Sequence, residues 1–124
     1  MNKILIVDDC MYSIKIIQTT MTSLGYEVIV AYNGKEGIIK AVDELPNLVF
    51  MDISMPIMDG IESMKRIKEM HNLKNVPLIA YTAYSLKGDR EKLLDEGFDE
   101  YLPKPVSVSN LINMAQKHLE QTGI

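Results

Sequence analysis

Apolar runs alternate with amphipathic segments along the whole chain. Ile4–Val7 and Leu48–Met51 are unbroken apolar runs, and Val76–Tyr81 is interrupted only by a proline near its start. Such runs are typical of strands buried on both faces of a parallel sheet. Glu27 marks a further strand as less buried and nearer an edge. The predicted strands are Ile4–Val7, Tyr26–Ala31, Leu48–Asp52, Val76–Tyr81 and Asp99–Leu102.

Between these runs, apolar side chains recur at the spacing of a helix face. Helices are therefore predicted over about residues 11–24, before Pro46, from about residue 61 to His71, over residues 85–96 and over about residues 107–121. The side chains predicted to face inward are Ile14, Ile17, Met21 and Leu24, then Ile38, Ala41, Val42 and Leu45, then Ile61, Met64 and Ile67, then Leu86, Leu93 and Leu94, and finally Val108, Leu111, Ile112, Ala115 and Leu119.

This alternation of strands and helices predicts an α/β fold with a parallel sheet and helices on both of its faces. The first, third and fourth strands are the most apolar and should be central. That arrangement fits the order 2-1-3-4-5, which is the order of flavodoxin-like, doubly wound (βα)5 sheets. In such sheets the functional site lies at the carboxyl ends of the strands, beside the switch point between strands one and three.

Composition narrows the class of protein. A chain of 124 residues, 47% hydrophobic and 24% charged, has the size and balance of one ordinary globular domain, here residues 1–124. A formal net charge of −4 argues against a nucleic-acid binder. No apolar run is long enough for a membrane span, and a strand at the start leaves no room for a signal peptide. The single cysteine excludes an internal disulfide and suits the cytoplasm.

Polar and charged residues follow the predicted strands at the edge where the carboxyl ends meet. They are Asp8 and Asp9, Asp52, Thr82 and Lys104. Carboxylates this close would repel each other unless a cation neutralised them, and their oxygens suit magnesium. A lysine can hold a phosphate oxygen, a threonine hydroxyl can donate to one, and a carboxylate can form an aspartyl phosphate. The set favours transfer of a phosphoryl group to Asp52.

Each of these residues also has a simpler interpretation. An aspartate or threonine after a strand can cap the next helix, and a loop lysine can be solvated. It is their combination at neighbouring strand ends that favours chemistry. Cys10, which follows the acidic pair, is interpreted as a thiol without a function, and His71 and His118 as isolated surface residues.

With these motifs assembled, the sequence resembles the receiver domain of two-component response regulators along its whole length. The motifs are Ile4-Leu5-Ile6-Val7-Asp8-Asp9, the segment from Met51-Asp52 through Met55-Pro56 to Asp59-Gly60, Tyr81-Thr82-Ala83 and Tyr101-Leu102-Pro103-Lys104-Pro105-Val106. The resemblance implies a CheY-like fold and a phosphoprotein that catalyses only its own phosphorylation and dephosphorylation, rather than a conventional enzyme.

The same resemblance implies roles for individual residues. Asp52 would accept the phosphoryl group from a histidine kinase or a histidine phosphotransfer protein. Magnesium (or manganese) would be held by Asp9, Asp52 and the Ser54 carbonyl, with Asp8 acting through a water. Lys104 would contact the acyl phosphate, and Lys104-Pro105 is expected to be a cis peptide. Thr82 and Tyr101 would form the switch. Ser54 and Tyr84 would tune hydrolysis of the phosphate.

The chain ends soon after the fifth predicted helix, so a stand-alone cytoplasmic receiver without an output domain is expected. It would signal by docking a target protein on the face formed by helix four, strand five and helix five, which includes Tyr84, Lys87, Arg90 and Tyr101. Neither nucleic acid nor a membrane is an expected partner. The protein would be a monomer or a dimer that forms on phosphorylation.

Three alternatives stay open. A degenerate receiver would bind proteins without phosphorylation, although all five site residues are present. A flavin carrier would share the fold, but Asp8-Asp9 would repel a flavin phosphate where a hydroxyl- and glycine-rich loop is needed. A phosphatase with an aspartyl nucleophile would show Asp-x-Asp after its first strand, whereas this chain has Asp8-Asp9-Cys10.

Overall fold

A computed structural model describes residues 2–55, 57–83 and 89–119. Strands and helices alternate through this part of the chain. The strands form one parallel sheet in the order β2-β1-β3-β4-β5, which confirms the predicted order. The elements are β1 (Lys3–Val7), α1 (Met11–Ser23), β2 (Glu27–Ala31), α2 (Gly34–Glu44), β3 (Leu48–Asp52), α3 (Gly60–Lys68), β4 (Leu78–Thr82), α4 (Asp89–Glu96), β5 (Glu100–Pro103) and α5 (Val108–Leu119).

Two apolar clusters lie on opposite faces of the sheet. The first cluster joins alternate strand residues such as Ile6 and Phe50 to α1 and α5. The second joins the intervening strand residues, such as Val7 and Met51, to α2, α3 and α4. Every residue of β3 and β4 is buried, whereas β2 is partly exposed, as its charged residue predicted. The site at the strand ends therefore rests on a core packed from both sides.

The second helix packs through its smallest residues. A β-carbon added to Gly37 would lie 2.9 Å from Val7 Cγ1, so α2 sits directly against β1. Gly34, Gly37 and Ala41 are its buried residues. The hydroxyl of Ser63 in α3 donates a buried hydrogen bond of 2.8 Å to the carbonyl of Gly34. This contact ties the two helices together next to the end of β3.

Several boundaries and faces differ from the sequence predictions. Strands β2 and β4 begin at Glu27 and Leu78, one and two residues later than predicted, and β5 is shifted by one residue. Some residues named in the sequence predictions lie outside the described residues. They are the predicted helical residues 85–88, the predicted end of the last helix beyond residue 119, Pro56 and Tyr84. Four side chains predicted to face inward are exposed, which are Leu24, Val42, Leu45 and Val108.

The two histidines lie in different environments. His71 is exposed and lies in the turn after α3 rather than on a helix. His118 was wrongly interpreted as a surface residue. Its side chain is 15% exposed, and its Nε2 lies 3.1 Å from Glu100 Oε2, which links α5 to β5.

No helix in the parts of the chain described above is both long enough and apolar enough to cross a membrane.

Candidate functional site

Strand alternation directs three polar side chains to one place at the carboxyl edge of the sheet. Asp8 follows Ile6 at a spacing of two residues, Asp52 follows Phe50, and Tyr81 follows Ile79. Successive strand side chains point to opposite faces, so these three share the α1 and α5 side with the first apolar cluster. The sheet register pairs Asp52 with Tyr81. The backbone alone thus brings two carboxylates and a phenol together.

The carboxylates of Asp8, Asp9 and Asp52 form one acidic cluster. Each offers an oxygen atom, and these atoms all lie within 4.8 Å of one another. Asp8 is fully buried, Asp52 is 4% exposed, and Asp9 is exposed. Burial and the neighbouring Asp8 carboxylate raise the pKa of Asp52 to about 7, although Lys104 and a backbone hydrogen bond from Ser54 oppose this increase. The Lys104 ammonium thus offsets only part of the effect that burial and Asp8 have on this carboxyl.

Such a cluster fits a small divalent cation. Oxygen atoms of three carboxylates converge here, and one of these residues, Asp9, is exposed. The pKa of Asp52 stays raised although Lys104 opposes the increase. Hard cations such as magnesium and manganese prefer this kind of oxygen donor and keep part of their water shell. The residues present therefore fit the predicted cation.

Lys104 reaches the cluster from the loop after β5. Its peptide bond to Pro105 is cis. The Nζ atom lies 3.5 Å from Asp52 Oδ2 and 3.4 Å from Asp8 Oδ2, and the side chain is 16% exposed. The Lys104 backbone N–H donates a 2.9 Å hydrogen bond to the carbonyl of Thr82. The loop that carries the ammonium group is thereby joined to the end of β4.

The Asp59-Gly60 pair closes the loop behind Asp52. A β-carbon on Gly60 would lie 2.3 Å from the Asp52 carbonyl oxygen, so only glycine permits this approach. The Gly60 N–H donates a 3.0 Å hydrogen bond to the carbonyl of Ile53. Asp59 caps α3 by accepting a 2.9 Å hydrogen bond from the N–H of Glu62. The chain therefore turns directly behind Asp52, and this turn supports the central carboxylate.

Tyr81 is the site residue that sequence reasoning missed, because it was counted only as part of an apolar strand. Its side chain is fully buried, and its hydroxyl donates a 2.7 Å hydrogen bond to Asp8 Oδ2. Burial and the neighbouring Asp8 carboxylate raise its pKa well above the ordinary value. A signal existed, since a buried phenol needs a hydrogen-bond partner and this one stands directly before Thr82.

The two predicted switch residues lie on neighbouring strands. Thr82 is buried at the end of β4 and borders a small cavity of about 130 Å³, whose other lining residues are Ile53, Ile61, Asp89, Lys92 and Leu93. Tyr101 in β5 is half-buried and packs against the second apolar cluster. Burial, followed by the charge of Asp89, raises its pKa. Both residues thus border the region between β4, β5 and α4.

The remaining candidates lie at the periphery. Ser54 is exposed, two residues beyond Asp52. Cys10 is exposed as the residue before α1, and its backbone N–H donates a 3.0 Å hydrogen bond to Asp8 Oδ1. Hydrogen bonds from Ser13 lower the pKa of the Cys10 thiol. The N-cap of α1 is Cys10, with no side-chain capping hydrogen bond, so the interpretation that Asp8 or Asp9 caps this helix is wrong. Asp8 instead accepts the N–H of Cys10 through Oδ1, and its second oxygen is directed at Tyr81 and Lys104.

Two comparisons with known proteins point to the same family. A family model described as the response regulator receiver domain matches residues 4–116. The polar-differentiation response regulator DivK of Brucella anthropi is 34% identical over 116 residues, which cover 94% of this chain and 94% of that protein.

Two solved structures extend the comparison to the fold. Chemotaxis protein CheY4 of Vibrio cholerae has a TM-score of 0.88 and 28% identity, covering 96% of this chain and 99% of that one. The receiver domain of sensor histidine kinase PA1611 from Pseudomonas aeruginosa, solved with a magnesium ion in its active-site cleft, has a TM-score of 0.88 and 32% identity, covering 97% and 98%. These similarities span the sheet and the strand ends that carry the acidic cluster.

Proposed function

The chain belongs to the response regulator receiver domain family, and from this premise we propose that Asp52 accepts a phosphoryl group from a phosphohistidine. The donor would be a histidine kinase or a histidine phosphotransfer protein. One observation carries the proposal most strongly. Asp52 is nearly buried at the end of a central strand, with two further carboxylates and the ammonium of Lys104 around it.

The transfer is a displacement at phosphorus. An ionised oxygen of Asp52 attacks the phosphorus atom, the bond from phosphorus to the donor nitrogen breaks, and its electron pair returns to the imidazole. Lys104, which already lies within reach of Asp52, would hold an oxygen of the incoming group. Catalysis then rests on positioning and charge rather than on a proton relay.

A divalent cation, magnesium or manganese, completes the proposed site. Asp9, Asp52 and the Ser54 carbonyl would hold it, and Asp8 would act through a bound water. When bound, the cation neutralises the carboxylates and the phosphoryl oxygens. The acidic cluster of Asp8, Asp9 and Asp52 supports this assignment, as does the raised pKa of Asp52.

We propose that the signal leaves the site through β4 and β5. The Thr82 hydroxyl would turn toward the new phosphoryl group, and Tyr101 would turn inward as it does so. The hydrogen bond between the Lys104 N–H and the Thr82 carbonyl supports coupling between these strands. A target protein would then dock on the face of α4, β5 and α5, where the phosphorylated protein could also dimerise.

Two further assignments complete the proposal. Ser54 and Tyr84 would flank the phosphoryl group and set its rate of hydrolysis, so the protein would turn over only its own phosphate. The cytoplasm is the proposed compartment, which suits the exposed thiol of Cys10.

Intact-protein mass spectrometry after incubation with acetyl phosphate and magnesium tests the function. The wild type should gain one phosphoryl group that hydroxylamine removes, as expected for an acyl phosphate, and Asp52→Asn should gain none. Asp59→Asn is the matched control, because asparagine preserves the cap of α3 while removing a nearby acid. Labelling of the Asp52→Asn variant would overturn the assignment. A wild type that is never labelled would favour a phosphorylation-independent binding module.

A further inference from the structure

Tyr81 touches both signs of charge at the candidate site. Its hydroxyl donates to Asp8 Oδ2 at 2.7 Å, and the Nζ atom of Lys104 lies 4.9 Å from the centroid of its ring. The side chain is fully buried between these two groups and the first apolar cluster. One rigid side chain is thus in contact with an acid and a base that approach from different strands.

The hydroxyl is suited to orient the acid. Asp8 is fully buried, and its other oxygen accepts the backbone N–H of Cys10 at 3.0 Å. Tyr81 completes this arrangement at Oδ2, so each carboxylate oxygen has a donor held by the fold. A short hydrogen bond to an ionised acceptor is stronger than a neutral one and has a preferred direction. The Asp8 carboxylate is thereby held in one orientation toward the cluster.

The ring is suited to support the base. An ammonium group over the face of a tyrosine ring is attracted by the electron density of that face. Lysine side chains have four rotatable bonds, so a contact that holds the end of the chain removes a large part of its freedom. Without the ring, the ion pairs of Lys104 with described residues would be those with Asp8 and Asp52, at 3.4 and 3.5 Å.

We propose that Tyr81 is a positioning residue, which orients Asp8 through its hydroxyl and Lys104 through its ring for cation binding and phosphorylation. The part of this inference that concerns phosphorylation rests on the proposed function. Tyr81→Phe removes the hydroxyl and keeps the ring, whereas Tyr81→Leu removes both. The two variants therefore separate orientation of the acid from support of the base.

Cation binding is measured first, on unphosphorylated protein. Electron paramagnetic resonance of free Mn²⁺ during a titration reports how much is bound, and Mg²⁺ competes for the same site. We expect Tyr81→Phe to bind Mn²⁺ about tenfold more weakly, which is the usual loss when a group that orients a metal ligand is removed. Tyr81→Leu should lose no more Mn²⁺ affinity than Tyr81→Phe, because the ring supports Lys104, which does not hold the cation, and its additional loss should appear in the phosphorylation rate. Tyr26→Phe is the matched control, since it removes a phenol at the opposite end of the sheet.

A spectroscopic measurement separates positioning from packing. The buried Tyr81 hydroxyl should give a slowly exchanging proton resonance in the NMR spectrum of the wild type. This resonance should disappear in Tyr81→Phe and shift in Asp8→Asn. The rate of phosphorylation at saturating acetyl phosphate should fall about tenfold in Tyr81→Phe, with a thermal midpoint close to that of the wild type.

Three results would overturn the inference. The first is a Tyr81→Phe variant that matches Tyr26→Phe in both Mn²⁺ affinity and phosphorylation rate. The second is tighter Mn²⁺ binding by Tyr81→Phe, which would mean that the hydroxyl competes with the cation. The third is the absence of the Tyr81 hydroxyl resonance in the wild type. This measurement needs no variant, so it decides the question even if the variants fold poorly. A wild type that is not phosphorylated would instead refute the proposed function, while the Mn²⁺ and NMR results would still decide the role of Tyr81.

Discussion

The Nζ atom of Lys104 lies 3.5 Å from Asp52 Oδ2. The same nitrogen lies 3.4 Å from Asp8 Oδ2, so one ammonium group is shared between two buried carboxylates. In the protein without a bound metal, Lys104 therefore acts as an internal counter-ion for the acidic cluster. A metal cation and this lysine compete for the same negative charge, although both are needed once phosphoryl oxygens arrive.

Lys104→Met should change cation binding and phosphorylation in opposite directions. Removing the ammonium leaves the cluster more negative, so we expect Mn²⁺ and Mg²⁺ to bind several-fold more tightly. Phosphorylation by acetyl phosphate should slow by roughly 10²-fold, because the variant lacks the group that holds the transferred oxygen. Mn²⁺ titration and mass spectrometry measure the two effects. Lys74→Met serves as the control, because Lys74 is exposed in the turn between α3 and β4. Parallel losses in both measurements would contradict the competition between the two cations.

Asp52→Asn should stabilise the metal-free protein at neutral pH. The pKa of Asp52 is about 7 in the folded protein against an ordinary value of 3.8. Between these values the folded protein binds a proton that the unfolded chain does not, so raising the pH through this window destabilises the fold. Asparagine removes that dependence. The advantage of the variant should be small near pH 4 and reach about 2 kcal/mol by about pH 8.

Urea unfolding at a series of pH values with a chelator present measures this difference. Added magnesium should reverse it, since a cation at the cluster stabilises only the wild-type carboxylate. Asp59→Asn provides the control for loss of a carboxylate outside the cluster. A free-energy difference between Asp52→Asn and the wild type that stays constant from about pH 4 to about pH 8 would contradict the raised pKa.

The sequence predicted the sheet well because its strands are encoded by large apolar side chains. Leu48–Asp52 matches β3 residue for residue, and the order of all five strands is as expected. Parallel strands direct their carboxyl ends to one edge, so the sequence alone places the strand ends with Asp8 and Asp52 together. At this edge, the apolar pattern of the strands and the topology of the sheet lead to the same prediction.

The second helix shows why other features could not be predicted. Its apolar pattern favoured Val42 and Leu45 as inward residues, yet both are about half exposed. The buried face consists of Gly34, Gly37 and Ala41. An added β-carbon at Gly37 would already lie 2.9 Å from Val7 Cγ1, so a large side chain has no room there. A helix face predicted from hydrophobic periodicity is defined by large apolar side chains, so it leaves out packing through glycine. Tyr81 was missed for a related reason, since its hydroxyl finds a partner 73 residues away in the sequence.

Ile57→Asn should stabilise the protein although it removes an apolar side chain. Ile57 has a φ angle of 72°, in the left-handed region that β-branched residues rarely adopt, and its side chain is 78% exposed. Asparagine tolerates this conformation, so we expect the free energy of unfolding to rise by about 1 kcal/mol. Ile39→Asn is the control, because Ile39 is also exposed but lies in α2, where asparagine lowers helix stability. Urea unfolding compares the two. A loss of stability in both variants would show that Ile57 is not strained.

Gly60→Ala tests whether the turn behind Asp52 supports both the fold and the site. The added β-carbon would lie 2.3 Å from the Asp52 carbonyl oxygen and 2.9 Å from Ile53 Cα, and backbone atoms cannot move aside as a flexible side chain can. We expect a loss of roughly 3 kcal/mol or more in the free energy of unfolding. Because relief of the clash must shift the end of β3, Mn²⁺ affinity should fall as well. Gly25→Ala is the matched control. Its β-carbon would meet nothing within 4 Å, so only its φ of 92° opposes the change, at a cost of about 1–2 kcal/mol. If Gly60→Ala unfolds like Gly25→Ala and binds Mn²⁺ like the wild type, the carboxylate does not depend on this turn for its position.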